Sequence, residues 1–369
     1  MFFKKHPVTR SGSLSSVAWR RFKKSKTGSA SLLFICFTAL VALLGYLVTP
    51  DPTPYANDQY LELGLKKPGF SVLMLPVRDQ SARPGHNIIK TMLLGQVKSL
   101  QNIPIRAWSV RGGYIWFTEY GALPGDPSLV KTLPEASVEK PFTKRFWLGT
   151  DRFGRDYLSQ LMIGTRVSLS VGLISVVISL VIGIFMGALG GYYRGWVDNL
   201  VMWLINVIWS VPTLLLVIAI TFALGKGFWQ VFIAVGLTMW VEVARVVRGQ
   251  VLGIREKEYV EAARALGFSD FRIIFHHILP NVMAAVIVIS AANFASAILM
   301  EAGLSFLGLG VQPPVPSWGS MIKENYGYIV LDYAYLAVLP GIAIMLMVLA
   351  FMLMGNALRD ALDVRMTEV

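Results

Sequence analysis

The sequence predicts an all-α polytopic membrane protein: six transmembrane helices with a small α+β extracytoplasmic insertion after the first. Three observations carry that expectation. The 369-residue chain is 54% hydrophobic and only 15% charged, against about a quarter charged in ordinary soluble domains. Its apolar residues gather in runs near the roughly 20 residues that cross a hydrocarbon core. Its charge is unevenly spread, with eight Lys or Arg and no acid in residues 1 to 29, the bias of a segment kept in the cytoplasm. The net charge of +12 thus reflects topology, and no nucleic-acid partner is expected.

The basic tail, 1–29, holds Lys4, Lys5, Arg10, Arg20, Arg21, Lys23, Lys24 and Lys26. The first span follows at Ala30 to Val48, within a unit 30–49. A secretory signal peptide begins similarly, but this basic region is too long and no small-x-small site follows Val48. Cys36 is the only cysteine, so no intrachain disulfide forms.

Thr49-Pro50-Asp51-Pro52-Thr53-Pro54 opens the insertion and lead-in, 50–165, because proline cannot continue the helix. Phe70 to Val77 reads as a strand. His86 to Leu100 reads as a helix, with Ile88, Ile89, Met92, Leu93 and Val97 at helical spacing. Gly112-Gly113 sits where a hairpin would turn. An irregular cap without its own core is the other reading of this stretch.

A five-helix core spans 166–358. Its expected spans are Val167 to Tyr193, Asn199 to Gly225, Gly227 to Ala244 with Glu242 near the membrane face, Asn281 to Leu309, and Tyr333 to Leu358. Gly183, Gly187 and Gly191 form a small-residue stripe suited to close helix packing, and Pro212 is expected to kink the third span. Counting from an inside start, Arg194, the stretch from Arg245 to Arg272, and Arg359 with Arg365 in the tail 359–369 fall on the cytoplasmic side. The 50–165 segment, Lys226 and 310–332 fall outside.

The sequence offers no enzyme chemistry. It has no phosphate loop, since Gly225-Lys226-Gly227 is not one, and no His-Glu-x-x-His or cysteine cluster for a metal. The four histidines, His6, His86, His276 and His277, do not converge in the sequence. No cofactor is expected. What remains is the loop 249–280. Glu258 and Glu261 share one helix face, Ala262, Ala263 and Ala265 keep that helix slim, and Gly267 is suited to end it. Ser269 or Asp270 is placed to cap a second helix through Phe275, which Leu279-Pro280 would break before the next span.

That spacing, Glu258, Glu261-Ala262-Ala263, Gly267 and then Leu279-Pro280, resembles the "EAA" loop of binding-protein-dependent ABC importer permeases. His277 stands where the general pattern has Ile, while His-Ile-Leu-Pro-Asn is similar to the peptide and nickel branch. Trp147 to Asp156 with Gly164 to Leu169, Glu301 to Pro314 with Ser317-Trp318-Gly319, and Gly355 to Asp363 (with Val364 in place of Pro) resemble the same branch, whose match covers 147 to 365. Trp19 to Lys24 adds a weaker likeness. The chain is similar to the second, "C"-type, permease subunit of dipeptide, oligopeptide and nickel importers. The resemblance implies a type I importer permease fold in the bacterial inner membrane, both termini cytoplasmic, forming half of a pathway for short peptides. It implies a homologous second permease, two cytoplasmic ATPases that move the 258–280 helices, and an extracytoplasmic substrate-binding protein.

Glu301 admits two readings, since an acid inside a span faces a cavity or a partner. It contacts a peptide amine, or it pairs with Lys323 or a backbone amide near the outer surface; its depth favours the structural reading. A nickel or nickel-chelate permease is the alternative within the family. An ion-coupled secondary transporter is the rival from another class, and usually carries several intramembrane charges or broken helices at repeat positions.

Overall fold

The chain's apolar runs become helices because a bilayer leaves backbone groups no partner but one another. The computed structural model describes residues 14–78, 87–96, 99–122, 129–225 and 227–362. The expectations on Lys4, Lys5, His6, Arg10, His86, Val97, Lys226, Val364 and Arg365 lie outside the described residues. A short helix α1 (Leu14–Lys24) meets α2 (Lys26–Val48) at Ser25, whose hydroxyl accepts the Gly28 N–H at 3.1 Å. The chain then leaves the helical layer. It forms β1 (Phe70–Arg78), a short α3 (Ile88–Leu94), β2 (Leu100–Arg111), β3 (Tyr114–Glu119), β4 (Val130–Pro134) and β5 (Phe142–Phe146).

Among the described residues these strands make one antiparallel sheet in the order β4-β3-β2-β1-β5. Gly112 and Gly113, at φ 59° and 80°, turn the β2–β3 hairpin in a conformation that side chains resist. β1 buries both of its faces. Val72 and Met74 pack with Tyr60, Leu63 and Phe146, while Leu75 packs with Ile105, Ile115, Phe117 and Val138. Lys66, just ahead of β1, joins the sheet to the residues leading into the next long helix and to the last one. The Lys66 N–H donates to Thr150 Oγ1 at 2.8 Å, and the Lys66 carbonyl accepts from the Thr150 N–H at 3.0 Å and the Tyr335 hydroxyl at 3.2 Å.

The helical part continues with α4 (Tyr157–Tyr193), α5 (Gly195–Trp209), α6 (Thr213–Leu224), α7 (Phe228–Arg255), α8 (Glu258–Ala265) and α9 (Asp270–Arg272). A π-helical segment Ile273–Ile278 leads into α10 (Leu279–Phe306), followed by α11 (Trp318–Asn325) and α12 (Tyr335–Leu362). Among the described residues five helical stretches are long and apolar enough to cross a membrane: Lys26–Val48, Tyr157–Tyr193, Phe228–Arg255, Asp270–Phe306 and Tyr335–Leu362.

The expected third span, 199–225, is not a straight helix. α5 and α6 meet at 91°, so there are six spans only if this bent pair counts as one. Pro212 disfavours helix at the residue before it and cannot donate to the preceding turn; it starts α6 at ψ 127° instead. Two expected ends are also corrected. α4 begins at Tyr157 rather than Val167, and α7 runs past Ala244 to Arg255. Hydropathy marks only the uniformly apolar part of a helix, whereas the hydrogen-bonded ladder runs on through polar residues such as Ser159, Gln160 and Thr165, which are buried against the rest of the protein.

α4 and α7 approach closely along the glycine stripe. A Cβ at Gly183 would lie 2.5 Å from Val243, one at Gly187 2.5 Å from the Ala244 carbonyl, and one at Gly191 2.8 Å from Val251. α10 and α12 complete the layer, with Ala295 and Ile298 buried against Ile344, Met347 and Phe351.

Candidate functional site

α8 is built with two faces. Val260 and Ala263, three residues apart, point inward and are buried. Glu258, Glu261, Ala262 and Ala265 lie on the opposite, exposed face. The inward face joins an apolar cluster that draws on several elements: Tyr192 of α4, Val247 and Val251 of α7, Ile273, Ile274 and Ile278 of the π segment, and Val282 of α10. The alanines expected to act together are therefore divided, Ala263 in the core and Ala262 in solvent.

Gly267 ends α8 as its composition suggests. It sits at φ 77°, its N–H donates to Arg264 O at 3.0 Å, and the Phe268 N–H donates to Ala263 O at 3.2 Å. That pair of bonds is a Schellman turn, which needs a residue free to adopt positive φ. A Cβ at Gly267 would meet no atom within 4 Å, so the requirement is conformational and not spatial. Ser269 takes the cap position of α9 without a side-chain cap bond. Asp270 accepts from the Tyr192 hydroxyl at 2.6 Å, tying the loop to the end of α4.

Leu279-Pro280 does not break the second helix. The chain is helical from Asp270 to Phe306, and the Leu279 N–H bonds back to the Ile274 carbonyl, five residues away. A π turn of this kind reorganises the ladder beside Pro280, whose ring and missing N–H would spoil an ordinary α turn. His277 stacks on Phe268 at 6.0 Å between ring centres, and its carbonyl accepts from Asn281 Nδ2 at 2.7 Å.

Neighbouring charges brace this end. Arg248 donates from two nitrogens to Asp198, at 2.5 and 2.6 Å, linking α7 to α5. Arg194 pairs with Glu256, and this contact holds the exposed Glu256 carboxyl below its usual range. Leu266, Phe271 and Phe275 are left exposed beside the acidic face of α8, with Phe271 and Phe275 in ring contact at 4.3 Å. A groove of about 890 Å³ begins next to it. Its walls are Val246 and Gln250 of α7, Asn281, Ala284, Ala285, Val288 and Ala292 of α10, and Gly355, Asn356 and Arg359 of α12.

Glu301, near the other end of α10, is fully buried. Lys323 is not its partner. Ser168 of α4 donates to Oε2 at 3.2 Å and Ser305 donates to Oε1 at 2.7 Å. Ser317 donates to the Ser305 hydroxyl at 3.3 Å, and its own hydroxyl caps α11 by accepting the Ser320 N–H at 3.2 Å. A lysine looked the natural partner by charge, but short hydroxyls from α4 and the 305–320 turn reach the carboxyl where the helices converge. Sequence reasoning also missed Tyr192 and Asp198, and gave Asp270 only a capping role; the partners of all three lie 50 to 78 residues away in the chain and leave no local signal.

Comparison with known proteins matches two parts of the chain. The family described as binding-protein-dependent transport system inner membrane component matches residues 179–368, and the N-terminal TM domain of oligopeptide transport permease C matches residues 13–68. The glutathione transport system permease protein GsiD of Pectobacterium atrosepticum is 42% identical over 217 residues, 59% of this chain and 72% of its own. The dipeptide transport system permease protein DppC of Alkalihalophilus pseudofirmus is 35% identical over 321 residues, 87% of this chain and 97% of its own. Among solved structures, an inward-facing MetNI methionine ABC transporter gives a TM-score of 0.47 at 19% identity, over 56% of this chain and 97% of that one.

Proposed function

This chain belongs to the family of binding-protein-dependent transport system inner membrane components, and from that we infer that it is a permease subunit of an ATP-driven importer, forming half of a pathway for short peptides. The relatives GsiD and DppC are named for glutathione and a dipeptide, both short peptides, which supports the peptide class over nickel. Its partners in this reading are a second, homologous permease, two cytoplasmic ATPases that supply the hydrolysis this chain lacks, and an extracytoplasmic binding protein. Both termini and the 245–280 segment lie in the cytoplasm, and the sheet lies outside.

The observation that carries the reading is the two-faced α8. Its exposed face, Glu258, Glu261 and Ala262 with Leu266 and Phe271 nearby, offers acid and apolar surface to an ATPase. Its buried face is keyed by Val260 and Ala263 into residues of α4, α7 and α10. A push on α8 is thus a push on three membrane helices, and the Gly267 turn fixes the angle at which α9 receives it. Closure of the ATPase dimer on ATP drives α8, and the pathway between the permeases opens outward. The small-residue groove along α10 and α12 is the wall this chain offers to its companion. Glu301, closed in by serines, holds the structure together and touches no substrate.

Uptake of labelled di- to hexapeptides in a deletion strain tests the substrate. Peptide uptake should fall, whereas unchanged peptide uptake with lost nickel accumulation would move the chain to the metal alternative. Glu258→Cys and Tyr120→Cys in a Cys36→Ser background test topology with an impermeant thiol reagent on intact cells. The residue at 120 should label and the one at 258 should not.

A further inference from the structure

Two stretches that no part of the coupling reading uses, 147–156 and 305–328, are brought together in space. Arg155 of the first pairs with Glu324 of the second at 2.9 Å, and with Asp151 at 2.6 Å. Between the stretches lies a cleft of about 550 Å³. Its floor carries Ser305, which is committed to Glu301; its rim carries Arg152, Lys323, Gln312, Tyr326 and Tyr328.

The charges of this cleft do not cancel. Glu324, the acid in its wall, is bound to Arg155. Arg152 lies over the Phe153 ring at 4.5 Å, and neither Arg152 nor Lys323 forms an ion pair among the described residues. The Lys323 ammonium is seated against Gly308 in space that a Cβ there would fill, and Gly308 holds φ 81°. Gln312 Nε2 keeps that turn in shape by donating to the Gly308 and Gly310 carbonyls, at 3.3 and 2.8 Å. The result is a cleft lined by a guanidinium from one stretch and an ammonium from the other, with two tyrosines beside them and the local acids already spent.

We propose that this cleft receives the C-terminal carboxylate of the peptide as it enters the permease. Arg152 offers a planar fork that matches a carboxylate in two bonds, and Lys323 adds a compact point charge. The tyrosines supply apolar surface for the adjoining residue. The cleft's volume admits the end of a peptide of any sequence, which suits a permease that leaves side-chain selection to its binding protein. This assignment rests on the peptide reading above.

The test is uptake by the assembled transporter in vesicles, with all partners present, of a labelled dipeptide and of the same dipeptide amidated at its C-terminus. An Arg152→Gln, Lys323→Gln double variant should lose roughly tenfold in uptake of the free acid, the worth of one good charge-assisted contact or more. Uptake of the amide should stay at the wild-type level, and an Arg152→Lys, Lys323→Arg exchange should restore most of the preference. ATP hydrolysis without peptide should match wild type in every variant and reports assembly; if the double variant does not assemble, each single substitution is read by the same ratio. An unchanged acid-to-amide ratio in the neutral variants overturns the cleft assignment and leaves the peptide reading standing. An equal fall for acid and amide also overturns it, and assigns the two cations to an acidic group on the delivering protein. Failure of wild-type vesicles to take up either dipeptide removes the peptide reading and the cleft assignment with it.

Discussion

The two ends of α10 are held by opposite means. At the Leu279 end, Ile278 and Val282 meet Val260, Ala263 and Val251 through apolar contact. At the Phe306 end, Glu301 is held by Ser168 and Ser305, with Ser317 behind them. Apolar burial is non-directional and scales with area, so side chains can slide against each other and lose little. Hydrogen bonds demand short distances and near-linear angles, and a buried one that is broken leaves its partner stranded. One helix therefore has a compliant end beside α8 and a registered end beside the cleft of residues 305–328. The lever proposed above needs that difference: a point that moves and a point that does not.

The largest expected effect is at the registered end. Glu301→Ala removes the acceptor for the Ser168 and Ser305 hydroxyls in a fully buried site, and should cost roughly 2–4 kcal/mol of stability. Glu301→Gln keeps an acceptor oxygen and should lose much less. Thermal unfolding of the purified protein in detergent measures both. Equal melting temperatures for the two variants would mean that the serine network registers nothing, and the contrast between the ends would collapse.

Next comes the turn that joins α8 to α9. Gly267→Val places a β-branched residue at φ 77°, at a cost of about 1–2 kcal/mol or more. The strained turn should re-aim α8 while the membrane helices stay packed. Expression should be near normal, and uptake and substrate-stimulated ATP hydrolysis in reconstituted vesicles should fall sharply. Glu261→Lys should do the same without strain, because its side chain is exposed and its loss would act only on a partner. Wild-type rates in both proteins would mean that this segment couples nothing.

A smaller, graded effect should mark the compliant end. Ile278→Val removes one buried methyl group and should cost about 0.5–1.5 kcal/mol, with uptake nearly kept because apolar packing closes over small losses. A sharp loss of uptake from this substitution would show that the contact is registered after all, like the Glu301 end.

How far these features could be read from the sequence depended on how local their causes are. Gly267 was legible because a helix stop is written in the residues beside it. The membrane runs were legible because hydrocarbon demands an unbroken apolar length. Pro212 announced a bend, but not its 91°, since what packs against α5 and α6 sets the angle. Pro280 pointed to a break that the π turn at 273–278 avoids, a local compromise that leaves no residue pattern of its own. Glu301 pointed to a lysine, because sequence shows charges and hides hydroxyls; Ser168 lies 133 residues away. Ala262 and Ala263 could have been separated by their spacing from Val260, since only Ala263 repeats the inward step.

The smallest effect should appear where the sheet meets the helices. Lys67 and Asp332 form a 2.7 Å ion pair across that junction, but both side chains are well exposed, at 66% and 84%. Each charge shifts the other in the expected sense, the Lys67 ammonium upward and the Asp332 carboxyl downward. The pair's stabilisation through Asp332 would thus be present above the carboxyl's unfolded pKa and lost as pH falls through its lowered folded value. Solvent screening and side-chain entropy leave such exposed pairs with little or no measurable worth. The junction is carried instead by Lys66, whose N–H and carbonyl bond to Thr150 and whose carbonyl also accepts from Tyr335. Lys67→Ala should therefore leave the melting temperature unchanged at neutral pH, and acidification to about pH 3 should lower wild type and variant alike. A variant that melts earlier at neutral pH, and converges with wild type only in acid, would show that the ion pair and not the backbone holds the sheet to the helices.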